Sequence, residues 1–256
     1  PAVRELSELA SAFNTMADTL VRADQQRRQL TADVAHELRT PLAIVKGRLE
    51  GIQDGVYAAD AQQINSLLDE VALLERLIDD LRLLALAEAG QLPLYSEPVD
   101  PAELARVAQR AFAYEAAARG VSLAIALPEP LPVINADAQR ISQVLGNLVS
   151  NALRHTPTGG RVTITATPAP PDQIRYAVSD TGPGIAMAHL PHIFDRFYRA
   201  DKARTRSSGG AGLGLAIARQ IVEAHGGTID ASSVPGQGAT LTFTLPLSHS
   251  AEQVRR

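Results

Sequence analysis

Residues 60–88 repeat apolar side chains at alternating steps of three and four, the pattern of a coiled-coil seam. The seam residues are Ile64, Leu67, Val71, Leu74, Ile78, Leu81 and Ala85. Further leucines widen the apolar surface beyond two facing stripes: Leu68, Leu73, Leu77 and Leu84. One partner helix cannot cover this much leucine, so the segment predicts a bundle of more than two helices.

A second helical pattern precedes this seam and ends at a turn. From about Val21 it carries the apolar stripe Leu30, Val34, Leu38, Leu42, Val45, Leu49 and Ile52. The pattern breaks at Asp54-Gly55, a turn signal, so the two segments predict an antiparallel helical hairpin. Pairing two hairpins into a four-helix bundle would cover the leucines, which predicts a homodimer. The alternative cover is the C-terminal part of the chain.

The first helix contains a group of residues suited to phosphorus chemistry. His36 and Thr40 are four apart and share one helix face, and Glu37 can reach the same imidazole from the flank. Pro41 lacks an N–H and its ring crowds the preceding turn, which predicts a bend that presents His36 outward. A neutral imidazole nitrogen can attack phosphorus, and a neighbouring carboxylate can take its proton. A lone histidine would be an ordinary exposed residue; this combination favours a site.

The rest of the chain mixes helices and strands. Residues 91–100 are a predicted linker with a short strand, and Asp100-Pro101 with Glu103 predicts the start of a helix that ends near Gly120. We predict strands at 121–127, 133–135, 161–167, 173–179, 228–232 and 239–245, and helices at 137–155 and 213–225. Since neighbouring strands are expected to be antiparallel, the class is α+β, with one sheet and helices on one face.

Composition excludes several functions. Aromatic residues make up 4% of the chain and Trp is absent, so the cores should be aliphatic. The absence of Cys excludes disulfides and thiol chemistry. A net charge of −4 gives no indication of nucleic-acid binding. There is no apolar run long enough to span a bilayer and no signal peptide. Because the chain starts inside a predicted helix, we expect a soluble fragment of a longer protein.

Polar residues lie on one face of the predicted helix 137–155. Asn147, Asn151 and Arg154 are three or four apart. An amide oxygen is a suitable ligand for Mg²⁺, which takes few protein ligands beside phosphates and water, and an arginine one turn further can meet phosphate oxygens. Taken alone, the asparagines would suit any surface helix.

A glycine-containing turn, Asp180-Thr181-Gly182-Pro183-Gly184-Ile185, follows a predicted strand. The glycines would let the backbone approach a flat ligand. The Asp180 carboxylate can accept a hydrogen bond from an exocyclic amine such as that of adenine. An Asp-x-Gly-x-Gly sequence is also a common turn.

Two further motifs combine cations with glycine. In residues 193–199, Phe194 and Phe197 should anchor the segment in the core and leave Arg196 and Arg199 pointing outward. Residues 209–215 are rich in glycine at a helix start, where free N–H groups form an anion site, and 200–208 should form a mobile loop over it. Residues 236–240 form another glycine turn. None of these is a Walker phosphate loop or a dinucleotide fingerprint.

Two family resemblances follow from these motifs. Residues 33–42 resemble the phosphoacceptor box of sensor histidine kinases. The later motifs, in this order, resemble the N, G1, F and G2 boxes of the Bergerat (GHKL) ATP-binding domain. The resemblance implies a multidomain α and α+β protein, with a hairpin that forms a dimeric four-helix bundle and a following α/β sandwich.

The resemblance also implies roles for particular residues. His36 would be the phosphoacceptor, Glu37 the general base, and Thr40 would position water for removing phosphate from a regulator. Asn151, assisted by Asn147, would bind Mg²⁺, and Asp180 would bind adenine. The implied ATP-binding set is Asn147, Asn151, Arg154, His155, Asp180, Gly182, Gly184, Ile185, Arg196, Arg199, Lys202, Gly210, Gly212, Leu213, Gly214 and Thr240. His155 is expected to stack on the base.

The resemblance implies domains and partners as well. The domains would be a HAMP-like relay helix at 1–20, the hairpin at 21–90, a linker at 91–100, the ATP-binding domain at 101–248 and a tail at 249–256. A generic coiled-coil lead-in is the alternative for 1–20. The partners would be a second copy and a response-regulator receiver domain, without nucleic acid. The chain would be the cytoplasmic portion of a bacterial inner-membrane sensor, attached through an upstream segment absent here.

Two other functions share this nucleotide fold. A hydrolysing switch of the gyrase, mismatch-repair or chaperone type would carry Glu four residues before the metal asparagine to activate water. Asn147 occupies that position and cannot act as a base, which argues against hydrolysis. A nucleotide-binding pseudokinase scaffold would not require the intact motif set.

Overall fold

The computed structural model describes residues 2–128, 130–199 and 211–247. Within 2–30 it describes the helix but, of the side chains, only Phe13, Met16 and Val21. The chain divides into two compact units, Pro1–Ile78 and Asp79–Arg256. No helix among the described residues is both long enough and apolar enough to cross a bilayer.

The N-terminal part consists of two long helices, α1 (Ala2–Gln53) and α2 (Ala61–Glu88). Residues 2–20 are therefore helical, as predicted, and continuous with the following segment. The helix α1 runs on through Pro41, which is buried, so the proline does not end it. The bend predicted after His36 stays a prediction.

The connection between α1 and α2 matches the predicted turn. The N–H groups of Val56 and Tyr57 both donate to the carbonyl of Gly51, at 2.8 and 3.0 Å. A Cβ on Gly51 would lie 2.5 Å from the Tyr57 ring, so a larger residue would displace the ring from its present position. Asp60 accepts a hydrogen bond from the Gln63 N–H at 2.9 Å and so caps α2.

The seam of α2 is only partly covered within one chain. Its buried leucines are Leu77, Leu83 and Leu84. Four predicted seam residues remain exposed: Ile64 (49%), Val71 (40%), Ile78 (55%) and Ala85. The hairpin therefore keeps an apolar surface that its own two helices do not bury.

The second unit contains a five-stranded sheet in the order β2-β4-β5-β7-β6. The strands are β2 (Ser122–Ala126), β4 (Arg161–Ala169), β5 (Gln173–Asp180), β6 (Ile229–Ser233) and β7 (Ala239–Pro246). A separate antiparallel pair joins β1 (Glu97–Val99) to β3 (Ile134–Ala136). The predicted hairpin of β4 and β5 is confirmed.

One strand pair differs from the expected antiparallel arrangement. The strands β2 and β4 are parallel, with Ser122 opposite Arg161. The chain between them includes β3 and the helix α4 (Ala138–His155), which provides the long crossover that a parallel pair requires.

The helices α3 (Pro101–Ala118), α4 and α5 (Gly214–Ala224) complete the second unit. Asp100 caps α3 by accepting from the Ala102 N–H at 2.8 Å, and Asp137 caps α4 by accepting from the Arg140 N–H at 3.0 Å. The predicted helix starts are therefore correct to within one residue.

The core lies on one face of the sheet. Alternate residues of the central strands are buried: Val162, Ile164, Ala166, Ile174, Tyr176, Val178, Leu241, Phe243 and Leu245. Residues between them are less buried, as expected for a sheet with helices on one face. The core is mostly aliphatic, as composition predicted, but Tyr176 and Phe243 stack at its centre, 4.8 Å between ring centroids.

Candidate functional site

The helix α4 positions the first group of predicted site residues. Its apolar face is buried in the core, which leaves Asn147, Asn151 and Arg154 half-buried along the opposite edge. The Asn147 side-chain amide donates to the carbonyl of Gly214 at 2.9 Å. A Cβ on Gly214 would lie 3.4 Å from the Asn147 side chain. Asn147 thereby joins α4 to the first residue of α5.

The turn after β5 holds the Asp180 carboxylate in a fixed orientation. Its Oδ1 accepts from the N–H of Gly182 at 2.8 Å and from that of Ala239 at 3.3 Å. Two backbone donors on one oxygen fix the orientation of the carboxylate and leave Oδ2 to accept from a ligand. A Cβ on Gly182 would lie 2.8 Å from the His155 carbonyl, so the turn packs directly on the end of α4.

The same turn is packed against the β6–β7 connection. Gly184 has φ +74°, and a Cβ there would lie 2.5 Å from the Val234 carbonyl. The Ile185 N–H donates to the Ser233 hydroxyl at 2.7 Å. On β7, the Thr240 and Ser179 hydroxyls are 2.9 Å apart. Sequence reasoning missed Ser233, because its partner in this turn, Ile185, lies 48 residues away along the chain.

The structure corrects the prediction for residues 193–199. They form turns after a short 3₁₀ helix at Leu190–His192. Phe194 and Phe197 are only half-buried, so they do not anchor the segment in the core as predicted. Arg196 does not point freely outward: it is half-buried and forms an ion pair with Glu88, and burial lowers the pKa of its guanidinium.

Phe197 links this segment to the glycine-rich one. Its φ is +58°, and its N–H donates to the Gly212 carbonyl at 3.0 Å. A Cβ on Gly212 would lie 2.9 Å from the Phe197 backbone. This close approach explains the glycine and brings the third and fourth motifs together.

The start of α5 presents backbone donors beside these residues. Leu213 is buried and, among the described residues, no side chain caps the first turn of α5. Its N–H groups are therefore available to an anion. Lys202, Gly210 and the loop predicted at 200–208 lie outside the described residues.

A group of cations flanks the end of α4. Burial lowers the pKa of the Arg154 guanidinium, and the positive charges of Arg119 and Arg199 lower it further. Arg119, which sequence reasoning missed, pairs with Glu115 at 3.0 Å. Several positive charges close together favour the binding of an anion with multiple negative charges.

His155 follows directly at the end of α4. Partial removal of its ring from water lowers its pKa, the adjacent Arg154 lowers it further, and the Asp180 carboxylate opposes both. The side chain of His155 is exposed where the backbone of this residue meets the Asp180 turn, a position suited to contact with a flat base.

The predicted phosphoacceptor residues lie on α1, in the first unit. His36 and Thr40 are exposed, and Glu37 is half-buried. The Thr40 hydroxyl donates to the His36 carbonyl at 3.4 Å, a long hydrogen bond. The imidazole is therefore accessible from solvent.

No group of three or more His, Cys, Asp or Glu side chains in 2–128, 130–199 and 211–247 could hold a metal ion. The candidate metal ligands are instead the side-chain amides of Asn147 and Asn151 on α4. This set fits Mg²⁺ only if phosphate oxygens and water complete its coordination.

Comparison with known families matches both units. A family described as "His Kinase A (phospho-acceptor) domain" matches residues 26–90. Another, "Histidine kinase-, DNA gyrase B-, and HSP90-like ATPase", matches residues 136–249. The signal transduction histidine-protein kinase BaeS of Escherichia coli K12 is 42% identical over 249 residues, which cover 97% of this chain and 53% of BaeS. The chain thus spans about half the length of that relative.

Solved structures agree with these matches. The histidine kinase AdeS of Acinetobacter baumannii superposes with a TM-score of 0.71 at 32% identity, over 84% of this chain and 98% of that one. The histidine kinase ThkA in complex with the response regulator TrrA superposes with a TM-score of 0.66 at 25% identity, over 86% and 61%. Since the likeness extends over both the phosphoacceptor helices and the nucleotide fold, this chain belongs to the sensor histidine kinases of two-component systems.

Proposed function

We propose that this chain is a histidine autokinase that transfers the γ-phosphoryl group of ATP to His36. The observation that carries the proposal is the convergence of four separate motifs on one site of the second unit. Asn147 contacts Gly214, Gly182 approaches His155, and Phe197 contacts Gly212. The same chain presents an exposed imidazole in a phosphoacceptor box.

Asp180 would select the base. Its Oδ1 is held by two backbone N–H groups, so Oδ2 can accept from the exocyclic amine of adenine. Gly182, Gly184 and Ile185 would line the base pocket with backbone, and Thr240 would lie beside Asp180. His155 would stack on the base.

The cations would hold the phosphates. Arg154 and Arg199 lie near one another, and the N-terminus of α5 supplies backbone donors from Leu213 and Gly214. Arg196, Lys202, Gly210 and Gly212 complete the proposed set. Asn151, with Asn147, would bind Mg²⁺, which when bound neutralises charge on the transferring group.

Transfer at His36 would follow from proximity and acid–base chemistry. A neutral imidazole nitrogen forms a bond to the γ-phosphorus while the bond from that phosphorus to the β,γ-bridging oxygen breaks. ADP leaves, and the imidazole proton passes to Glu37. Glu37 is half-buried and adjacent in sequence to the exposed His36, a position suited to a base that accepts the imidazole proton.

The phosphoryl group would then pass to an aspartate of a response regulator. ThkA has been solved with the response regulator TrrA, and this chain shares that fold. Thr40, exposed one turn after His36, would position water for the reverse task of dephosphorylating the regulator.

The hairpin would dimerise. Its exposed apolar residues are Leu42, Leu49, Ile64, Leu68, Val71 and Ile78. Burying such side chains contributes roughly 1.5–3 kcal/mol each, so a second hairpin is a stable cover. We propose further that the chain is the cytoplasmic part of a membrane sensor, with the domain boundaries given above and a HAMP-like helix at its start.

Incubation of the chain with γ-labelled ATP tests the proposal. We expect covalent label that is stable to base and labile to acid, as a phosphoramidate is. Steady release of inorganic phosphate without label would indicate a hydrolase instead. Nucleotide binding with neither label nor release would indicate a scaffold.

Asn151→Asp should reduce labelling by about a hundredfold, because a carboxylate adds negative charge beside the phosphates and alters a ligand to Mg²⁺. Labelling rates at several Mg²⁺ concentrations measure the effect. Asn135→Asp is the matched control: Asn135 is exposed on β3, and the same change there should leave labelling intact. An unchanged rate in Asn151→Asp would remove the proposed metal role.

A further inference from the structure

Ser233, the last residue of β6, places its hydroxyl between two turns. The hydroxyl accepts from the N–H of Ile185 at 2.7 Å and donates to the carbonyl of Gly238 at 2.7 Å. Both bonds are short, and the residue is half-buried. One side chain thus satisfies a donor from the Asp180 turn and an acceptor from the turn before β7.

These two turns also contact each other through the backbone. The Gly236 N–H donates to the Pro183 carbonyl at 2.7 Å, and the Ala239 N–H donates to Asp180 Oδ1 at 3.3 Å. The orientation of the Asp180 carboxylate therefore depends on the position of the turn between β6 and β7.

The glycines leave little space between the turns. A Cβ on Gly184 would lie 2.5 Å from the Val234 carbonyl and 3.1 Å from the Ser233 hydroxyl oxygen. A Cβ on Gly238 would lie 1.9 Å from the Asp180 carbonyl. The two glycines thus let the backbones of the two turns approach closely, and the Ser233 hydroxyl lies where they meet.

We propose that Ser233 is a positioning residue of the nucleotide site: its hydroxyl holds the turn 180–185 in the shape that binds the base. This inference rests on the proposed nucleotide site. Ser233 acts through Ile185 and Gly238, and so through the geometry of Asp180.

Alanine at this position would leave the Ile185 N–H and the Gly238 carbonyl without their partner. Such groups recover hydrogen bonds by opening to water, so the turn would spend less time in its binding shape. Apparent affinity falls in proportion to the population of the competent shape. Chemistry at His36 would proceed normally once nucleotide is bound, so KM should change and kcat should not.

The experiment compares Ser233→Ala with Ser232→Ala in the full chain. Ser232 is exposed on the same strand, and its side chain forms no hydrogen bond within the described residues. In Ser233→Ala we expect the KM for ATP in autophosphorylation to rise by about tenfold, with kcat within about twofold. Without nucleotide, amide hydrogen exchange in the peptide that contains Ile185 should become faster. Ser232→Ala should match the unchanged chain in each measurement.

The exchange measurement separates this inference from the proposed function. If the unchanged chain gave no label, autokinase function would fail, and exchange at Ile185 together with binding of an unhydrolysable ATP analogue would still test Ser233. Unchanged exchange and KM in Ser233→Ala would overturn the inference. So would a fall in kcat at constant KM, or equal effects in Ser232→Ala.

Discussion

Replacing His36 by alanine is expected to abolish phosphoryl labelling from γ-labelled ATP. Alanine has no nitrogen that can attack phosphorus, so the covalent product cannot form at this position. His36 is exposed on a helix surface, and its imidazole has no hydrogen-bond partner among the described residues. The variant should therefore keep its fold, bind ATP as before and lose all base-stable label.

His192→Ala is the matched control for this change. His192 is also an exposed histidine, and its partner is Asp195 at 2.9 Å. This variant should label at close to the normal rate. Autoradiography after acid and base treatment measures both variants. Base-stable, acid-labile label persisting in His36→Ala would assign the acceptor to another histidine.

Replacing Gly238 by alanine is expected to displace Asp180 and remove ATP binding. Gly238 has φ +85°, which costs an L residue about 1–2 kcal/mol. Its Cβ would also lie 1.9 Å from the Asp180 carbonyl, a backbone atom at the end of β5, so the chain itself has to move. Overpacking adds about 1–3 kcal/mol. We expect the unfolding transition of the second unit to fall by roughly 4–20 °C in calorimetry.

Gly236→Ala separates steric overlap from backbone strain. Gly236 has φ +82°, and a Cβ there would have nothing within 4 Å. Backbone strain alone should destabilise this variant, by about 1–2 kcal/mol, and it should still bind ATP. Titration calorimetry with an unhydrolysable ATP analogue measures the difference. Equal affinities in the two variants would contradict the proposed dependence of Asp180 on the Gly238 turn.

Local signals predicted the elements well because their causes lie within a few residues. Asp100 and Asp137 cap their helices through N–H groups two and three positions away, so the sequence itself contains both partners. The alternation of β4 and β5 and their connecting loop similarly predicted a hairpin, which the pairing of Val162 with Asp180 confirms.

Long-range contacts could not be predicted in the same way. Ser233 reaches Ile185 across 48 residues, and no spacing rule links them. Hydrophobicity alone predicts the aromatic residues of 193–199 in the core. Instead, the backbone turns at Phe197, whose N–H donates to the Gly212 carbonyl. The parallel pairing of β2 also depends on a crossover whose direction local patterns do not encode.

The guanidinium of Arg196, a proposed phosphate ligand, already forms an ion pair with Glu88. Any phosphate that engages Arg196 has to compete with a carboxylate already held within the same unit. For a nucleotide that binds Arg196 as proposed, linkage makes the competition reciprocal: bound nucleotide would weaken the ion pair with Glu88 in the last turn of α2, and that ion pair would lower the affinity for nucleotide by the same factor.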